Sequence, residues 1–517
     1  MAAALIPFAA ALLAGYAQAL SIALPWTGAP AWWLQLLSLA TLAWLVRRTS
    51  SWRRGALLGW AFATAWLCGT FWWLFISMHV YGGLPSPLAA LAVLALAASL
   101  GLYYAAAMGV LAALHRLASG WRALLFAALW MLAELLRATW FTGFPWGAGG
   151  YAHLDGPLAA LAPWVGVYGI GAAAAWLAFA LSLALRPDTW RSWRYWGSLV
   201  TAAGLLAACN LATTEPAPAG NRQRLSVALL QGNIPQDEKF QGGTGIPLAL
   251  NWYGQQLRDS AAALVVAPET AIPLLPQQLP EFYMKAVRER FATGTQAALV
   301  GLPLGSLHEG YTNSAMGFKP GGEPYRYDKH HLVPFGEFIP PLFRWFTDLM
   351  NIPLGDFNRG SLRQPAFDWQ GQRLAPNICY EDLFGEEIGA QFADRARAPT
   401  ILVNISNIAW FGNSVAIDQH LHISRMRAIE FRRPMIRATN TGATAIIDHR
   451  GQVTHALPRH TRGVLTGEVQ GQTVITAYAW WVSRLGLWPL WLAGFAVVAA
   501  GWLRQRGRRG PAERAAA

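Results

Sequence analysis

Cysteine is almost missing from this chain: three residues in 517, at positions 68, 209 and 379. Cys68 and Cys209 fall in apolar stretches, which leaves Cys379 alone in the polar part of the sequence. No disulfide framework and no cysteine-based metal site can be assembled from that supply. Charge is scarce too, at 13% of residues, where soluble chains carry roughly 25%. The shortage is concentrated in about the first 212 residues and about the last 35. Lysine is the rarest charged type, four among 40 basic residues. There is no HExxH or comparable zinc spacing, so no metal and no cofactor are expected. His330, His331, His420, His422, His449, His455 and His460 lie in the polar part. His420 and His422, two apart on a helical stretch, do not share a face. The net charge of +13 comes from arginines that flank apolar segments, as membrane topology requires, so nucleic acid is not read as a partner.

What the chain has in abundance is apolar surface: 54% hydrophobic residues, 27 tryptophans and a mean hydropathy of +0.28. A helix crosses roughly 30 Å of hydrocarbon with about 20 apolar residues. Eight candidate spans are legible: Ala3–Leu24, Ala31–Val46, Ala56–Val80, Leu88–Leu114, Ala123–Thr139, Leu158–Leu185, Tyr195–Ala212 and Leu485–Leu503. The second is short, and the fifth carries Glu134 and Arg137, which read equally as a buried pair or as a pair snorkelling to the outer end. Ala17-Gln18-Ala19 resembles a signal cleavage site, but nothing basic precedes the apolar run, so the first segment is read as a span. Arginine clusters follow spans two, four, six and eight, whereas Tyr81–Pro87 and Phe141–Pro157 contain no lysine or arginine. If all eight spans are real, every basic cluster falls on one side, which the positive-inside rule makes the cytoplasm. Both termini are then cytoplasmic, and the region between spans seven and eight faces outward.

The expected organisation is therefore residues 1–212 with seven spans, a linker at 213–221, an outward domain at 222–472, and 473–517 with the last span and a basic tail. In the outward domain, strand-like runs (Leu225–Leu230, Ala263–Ala267, Ala297–Leu302, Ala315–Phe318, Leu374–Cys379, Ile401–Ile405, Ala443–Asp448, Val464–Val469) alternate with helical ones. The helical runs are Leu248–Ala261, Glu281–Ala292, Glu386–Ala396 and Val415–Arg432. This alternation predicts an α/β domain with a well-buried sheet.

Three strand-like runs end in a reactive group: Glu269 in Val265-Val266-Ala267-Pro268-Glu269-Thr270, Lys329 in Tyr327-Asp328-Lys329-His330-His331, and Cys379 in Asn377-Ile378-Cys379-Tyr380-Glu381. Strand ends are where a rigid scaffold positions chemistry. Singly, each has a plain alternative: a solvated glutamate, a surface lysine, a small core cysteine. Together, in this chain order, they resemble the triad of the nitrilase (carbon–nitrogen hydrolase) superfamily. That resemblance implies Glu269 as base, Lys329 as oxyanion partner and Cys379 as nucleophile, with the Tyr380 N–H as a further oxyanion donor.

The whole chain further resembles the apolipoprotein N-acyltransferase family. The stretches that carry this are Gln231-Gly232-Asn233-Ile234-Pro235-Gln236, Pro268-Glu269-Thr270, His331–Glu337, Cys379-Tyr380-Glu381, Ser406–Gly412 and Arg425–Glu430. The resemblance implies a membrane all-α bundle of about eight transmembrane helices plus a nitrilase-like αββα sandwich, in a bacterial inner membrane with the catalytic domain periplasmic. It implies acyl transfer from a phospholipid, typically phosphatidylethanolamine, to the N-terminal amine of a diacylglyceryl-cysteine on an apolipoprotein, through a thioester on Cys379. Glu337, Glu381, Tyr380 and Asn313 match positions beside the family's site. Ile408, Phe240 and Thr441 depart from the family pattern, where aspartate, tryptophan and asparagine are more usual. The protein is expected to be a monomer.

The residues themselves add one argument for a lipid. Ile339–Leu354 is unusually apolar for a solvated connection, so it reads either as a buried loop or as a lid touching the bilayer. Trp345 and Phe346 within it, with Phe335, Trp410 and Phe411, are candidate lid or lipid contacts. Two other readings stay open here: a membrane-tethered amide hydrolase using the same three residues, and a transporter or receptor whose outer domain only binds ligand.

Overall fold

The computed structural model describes residues 2–184, 189, 192–214, 224–306, 308–339 and 357–507. It comprises two compact units: residues 1–72, 90–215 and 487–517 in one, and 73–89 with 216–486 in the other. The proposed linker and the apolar stretch with Trp345 and Phe346 lie largely or wholly outside the described residues.

The first unit is helical. Five helices among the described residues are long and apolar enough to cross a membrane: Leu5–Ile22, Ser86–Ala113, Ser119–Thr142, Pro157–Ala184 and Tyr195–Ala212. The count reaches seven if two broken pairs, Trp52–Phe71 with Leu74–Tyr81 and Ala477–Leu485 with Trp488–Gly507, each make one span. Trp32–Arg47 is a helix of only 16 residues, shorter than a full crossing needs. Glu134 and Arg137 are both buried, so the snorkelling alternative fails. The Glu134 carboxylate accepts the Gly149 N–H at 2.7 Å, while Arg137 donates to the carbonyls of Phe144 and Trp146, each at 2.7 Å. Backbone groups freed by the 140–150 turn supply these partners, as an apolar surround demands.

The second unit is a sandwich of two six-stranded sheets, ordered β12-β1-β2-β3-β4-β5 and β11-β10-β9-β8-β7-β6. The strands are β1 Leu225–Gln231, β2 Leu264–Val266, β3 Ala297–Ser306, β4 Gly310–Phe318, β5 Tyr325–Asp328 and β6 Phe367–Trp369. They continue with β7 Gln372–Ile378, β8 Ile401–Ser406, β9 Met435–Thr439, β10 Ala445–Ile447, β11 Val453–Ala456 and β12 Gly463–Val469. β1, β2 and β3 run parallel, as do β7, β8 and β9. Alternate residues such as Val227, Leu229, Val266 and Leu299 of one sheet meet Leu374, Val403, Ile405 and Ile436 of the other in a single buried layer. The opposite faces are covered by helices. Gly245–Asp259 and Tyr283–Ala292 pack on the first sheet, and Ala416–Phe431 and Ala477–Leu485 on the second. This is an αββα sandwich, each sheet apolar on both faces because each is buried twice.

Several local readings change. β4 begins at Gly310 rather than Ala315 because polar Thr312-Asn313-Ser314 pair with Leu302–Leu304 in a hairpin. β9 escapes a hydrophobic search because Arg437 stands in its middle, fully buried against Asp382. The expected helix 386–396 is a five-residue turn, Gly385–Gly389, followed by a tighter turn at Ala390–Phe392. Arg427, Glu430 and Arg433 are buried packing groups.

Candidate active site

The site gathers where the parallel strands of both sheets end. Val266 closes β2 and the chain turns through Pro268-Glu269-Thr270, with Thr270 at φ +47°. Asp328 closes β5, and the Lys329 N–H donates to the Asn313 carbonyl of β4 at 2.8 Å, so the lysine lies beside Asn313. Ile378 closes β7, and Cys379 follows at φ +53°, opening a short helical turn. Non-glycine residues in left-handed backbone cost about 1–3 kcal/mol each and gather where function over-determines geometry.

Lys329 is 1% exposed. Its Nζ lies 2.9 Å from Glu337 Oε1 and 3.4 Å from Glu269 Oε1. Asn313 Nδ2 donates to the same two oxygens, each at 2.7 Å, so amide and ammonium bridge both carboxylates. The turn 333–337 folds Glu337 back beneath the lysine: its Oε2 accepts the Val333 N–H at 2.9 Å. Glu269 Oε2 accepts the Asn407 N–H at 2.8 Å, joining the end of β2 to the loop after β8. Burial pushes the Glu269 carboxyl up, but Lys329, Asn313, Lys239 and Asn407 outweigh it and hold the group below the ordinary range. Burial opposes the Lys329 ammonium, yet Glu337, Glu269 and Cys379 raise its pKa above that of an ordinary lysine. Cys379 is partly exposed. Burial, then the Glu269 charge, push its thiol up to about 12, with Lys329 acting the other way. A thiol raised in this way needs a base beside it before it can attack a carbonyl carbon.

Glu381 ties the two sheets together at this point. One oxygen accepts the N–H groups of His330 and His331 at 2.6 and 3.1 Å. The other accepts the Ile378 N–H at 2.6 Å and the Tyr327 hydroxyl at 2.9 Å. It thereby fixes the lysine loop against the cysteine turn, and burial pushes its carboxyl up to about 7. Tyr380 is buried, its ring among His331 and Phe384.

The structure thus brings together Glu269, Lys329, Asn313, Glu337 and Glu381 around the Cys379–Tyr380 turn. Phe335 sits in the 333–337 turn, its N–H on the Phe338 carbonyl. Trp410 and Phe411 do not reach this cluster by any described contact; they pack against Tyr81 and Trp73, ring centroids 5.8 and 4.2 Å apart. Phe240 is half exposed, whereas Ile408 and Thr441 are buried.

Lys239 is a site residue that the sequence reading passed over. It is 2% exposed, and its Nζ donates to the Glu269 carbonyl at 3.2 Å and to Thr270 Oγ1 at 2.6 Å. Burial lowers its pKa to about 8 against the pull of Glu269 and Cys379. With two carboxylates and two ammonium groups, Glu269, Glu337, Lys329 and Lys239 form a charge-balanced buried quartet. With only four lysines among 40 basic residues, scarcity alone marks position 239 as readily as position 329.

Comparison with known proteins agrees with this architecture. The family pattern of the apolipoprotein N-acyltransferase N-terminal domain matches residues 8–180, and that of carbon-nitrogen hydrolase matches residues 226–478. The apolipoprotein N-acyltransferase of Verminephrobacter eiseniae is 62% identical over 501 residues, covering 92% of each chain. This chain belongs to the apolipoprotein N-acyltransferase family. A second member, from Ralstonia nicotianae, is 48% identical over 483 residues, 92% of this chain and 90% of its own. Among solved structures, the Xanthomonas campestris carbon-nitrogen hydrolase superfamily protein XC1258 is 21% identical, with a TM-score of 0.36, over 48% of this chain and 91% of that one. An amidase of the nitrilase superfamily from Nesterenkonia gives 19% identity and a TM-score of 0.37 over 53% and 99%.

Proposed function

We propose that this protein N-acylates the N-terminal S-diacylglyceryl-cysteine of apolipoproteins, taking the acyl chain from a phospholipid such as phosphatidylethanolamine and passing it through a thioester on Cys379. Family membership supports the acceptor class. The mechanism rests on one observation, a partly exposed thiol at a strand end beside a lysine locked between two carboxylates.

In the first half-reaction, Cys379 Sγ attacks the ester carbonyl carbon as Glu269 takes the thiol proton. The developing oxyanion is held by the Lys329 ammonium and the Tyr380 N–H. Collapse breaks the carbon–oxygen bond, and Glu269 returns its proton to the departing lysophospholipid alkoxide. In the second, the lipoprotein amine attacks the thioester while Glu269 accepts an amine proton. The tetrahedral adduct then expels the Cys379 thiolate, which takes that proton back. Glu337 and Asn313 hold Lys329 and orient Glu269; Glu381 keeps the two loops in register. With the short helix Trp32–Arg47 counted as an eighth crossing, arginine clusters on alternate connections support a multi-pass inner-membrane protein with both termini cytoplasmic and residues 222–472 periplasmic. Lid contacts from Trp345, Phe346 and Phe335 would admit the acyl chain.

The test is the intact mass of the purified protein after incubation with phosphatidylethanolamine, beside Cys379→Ala. The expected result is an added acyl mass, released by hydroxylamine, absent in the variant, and lost when a diacylated lipopeptide is supplied. Loss of the acyl group to water at the same rate without lipopeptide would mark a hydrolase instead. Equal lipopeptide acylation by Cys379→Ala would end the thioester mechanism.

A further inference from the structure

Beside the Cys379–Tyr380 turn lies a buried polar cluster that the reaction above does not use. It joins the helix Ala416–Phe431, strand β9 and strand β8. His420 is fully buried, and its Nε2 lies 3.0 Å from Asp382 Oδ1 and 3.2 Å from the Cys379 carbonyl oxygen. Its Nδ1 lies 2.7 Å from Arg437 NH2. A guanidinium can only donate, so Nδ1 accepts and the ring proton sits on Nε2. Arg437 is placed for this by Asp382 Oδ2 at 3.4 Å and by the Ser424 hydroxyl. That hydroxyl in turn donates to Asp382 Oδ2 at 2.5 Å. Burial, then the Arg437 charge, lower the His420 pKa, so the ring stays neutral with one proton to give. From β8, Asn404 Nδ2 donates to the same Cys379 carbonyl at 3.2 Å and to Asn377 Oδ1 at 2.7 Å.

The Cys379 carbonyl therefore meets two side-chain donors from two elements, the His420 N–H being shared with Asp382. A trans peptide is planar, with its C=O and N–H pointing in opposite directions. Fixing the Cys379 oxygen towards His420 and Asn404 fixes the Tyr380 N–H towards the opposite side. We infer that His420 and Asn404 are positioning residues that hold the Cys379–Tyr380 peptide so that its N–H is pre-aimed at the oxyanion formed during acyl transfer. The arrangement also explains how a non-glycine residue is kept at φ +53° without a glycine's freedom. Hydrogen bonds to its carbonyl oppose the strain of that backbone conformation.

This inference rests on the acyl-transfer reading, and it separates from that reading by comparing two reactions of one sulfur. Acyl transfer builds an oxyanion; alkylation by iodoacetamide displaces iodide at a saturated carbon and builds none. The experiment measures both rates at Cys379, by mass, in the full-length protein and in His420→Ala and His420→Gln, with thermal unfolding recorded for each. In the alanine variant the single-turnover rate of acylation by phosphatidylethanolamine should fall about 10- to 100-fold, less than the roughly 100- to 1,000-fold for removing an oxyanion donor outright. The KM for lipid and the alkylation rate should stay unchanged. Glutamine, whose amide N–H can reach the same carbonyl, should restore most of the loss. If the alanine variant does not fold, Asn404→Ser removes the second donor and must show the same split. Acylation at the wild-type rate in folded His420→Ala would overturn the inference alone, as would a parallel fall of both reactions or a glutamine variant no better than alanine. Absence of any acyl mass on wild-type Cys379 would overturn the acyl-transfer reading and this inference with it.

Discussion

The rate at which iodoacetamide alkylates Cys379 should climb about tenfold per pH unit from about pH 7 to pH 10, with no plateau, because only thiolate reacts. The magnitude follows from the site. Burial and the carboxylate of Glu269 push the thiol up to about 12 while Lys329 pulls it down. At pH 8 about one molecule in ten thousand is then ionised, whereas an unperturbed cysteine of pKa about 8.5 is about one quarter ionised. On the ionised fraction alone, Cys379 should therefore react about 2,500 times more slowly than a simple thiol at that pH. Stopped samples analysed by peptide mass separate it from Cys68 and Cys209. The same reasoning makes Glu269→Gln informative. Removing the carboxylate takes away the largest charge that disfavours thiolate, so alkylation at pH 8 should quicken. Acyl-enzyme formation should slow, because no base remains to take the proton. A rate that levels off below about pH 9, or a Glu269→Gln variant slower in both reactions, would refute the resting thiol and require a preformed thiolate paired with Lys329.

Lys329→Met leaves Glu269 and Glu337 facing each other without their buried cation. It should cost about 3–5 kcal/mol in chemical denaturation and reduce acyl-enzyme formation by at least about 100-fold. Lys329→Arg should not recover activity, since the guanidinium exceeds the space between two carboxylates bridged by Asn313. Glu381→Gln replaces an oxygen that accepts two hydrogen bonds with an amide that must donate. A loss of about 2–3 kcal/mol is expected, together with slower acylation as the lysine loop loosens; an unchanged melting temperature would count against the sheet-tying role. Trp73→Ala removes a fully buried ring packed on Phe411 and its 3.0 Å hydrogen bond to Gln419. It should destabilise the α/β unit by about 3–5 kcal/mol, read as an earlier denaturation midpoint.

Much of this architecture was legible because its signals are local. Hydropathy located the apolar helices, and the alternation of short Val/Ile/Leu runs with helices after residue 222 announced an α/β domain with a well-buried sheet; the sandwich itself came from the family resemblance. Glu269, Lys329 and Cys379 stood out because each directly follows a strand-like run. What escaped was set by contacts between distant segments. Strand β9 carries Arg437 inward, a residue that hydrophobic patterning rejects and that only the Asp382 carboxylate makes tolerable. Edge strands β5, β6 and β11 are three or four residues long and hardly rise above turn composition. Lys239 lies in an irregular loop with no periodicity to mark its side chain as buried. The grip of His420 on a backbone carbonyl spans 41 positions, and no spacing rule anticipates it. The third apolar run, Ala56–Val80, conceals a break: its helix ends at Phe71, and Trp73 onward belongs by contacts to the sandwich.

That break has a bearing on how the molecule is made. The sandwich is not a continuous insertion, because residues 73–89 are among its parts and they leave the ribosome well over a hundred residues before β1. Phe411 and Trp410, on which the Trp73 and Tyr81 rings pack, exist only once β8 and its following turn have been synthesised. A gene fragment beginning at residue 216 would encode both sheets and the whole candidate site, yet lack the Trp73 and Tyr81 rings that pack on Phe411 and Trp410 and the Trp73 N–H that Gln419 accepts. Supplying residues 73–89 as a separate peptide should improve its solubility, which makes the sandwich a two-piece assembly whose smaller piece is written into the helical half of the gene.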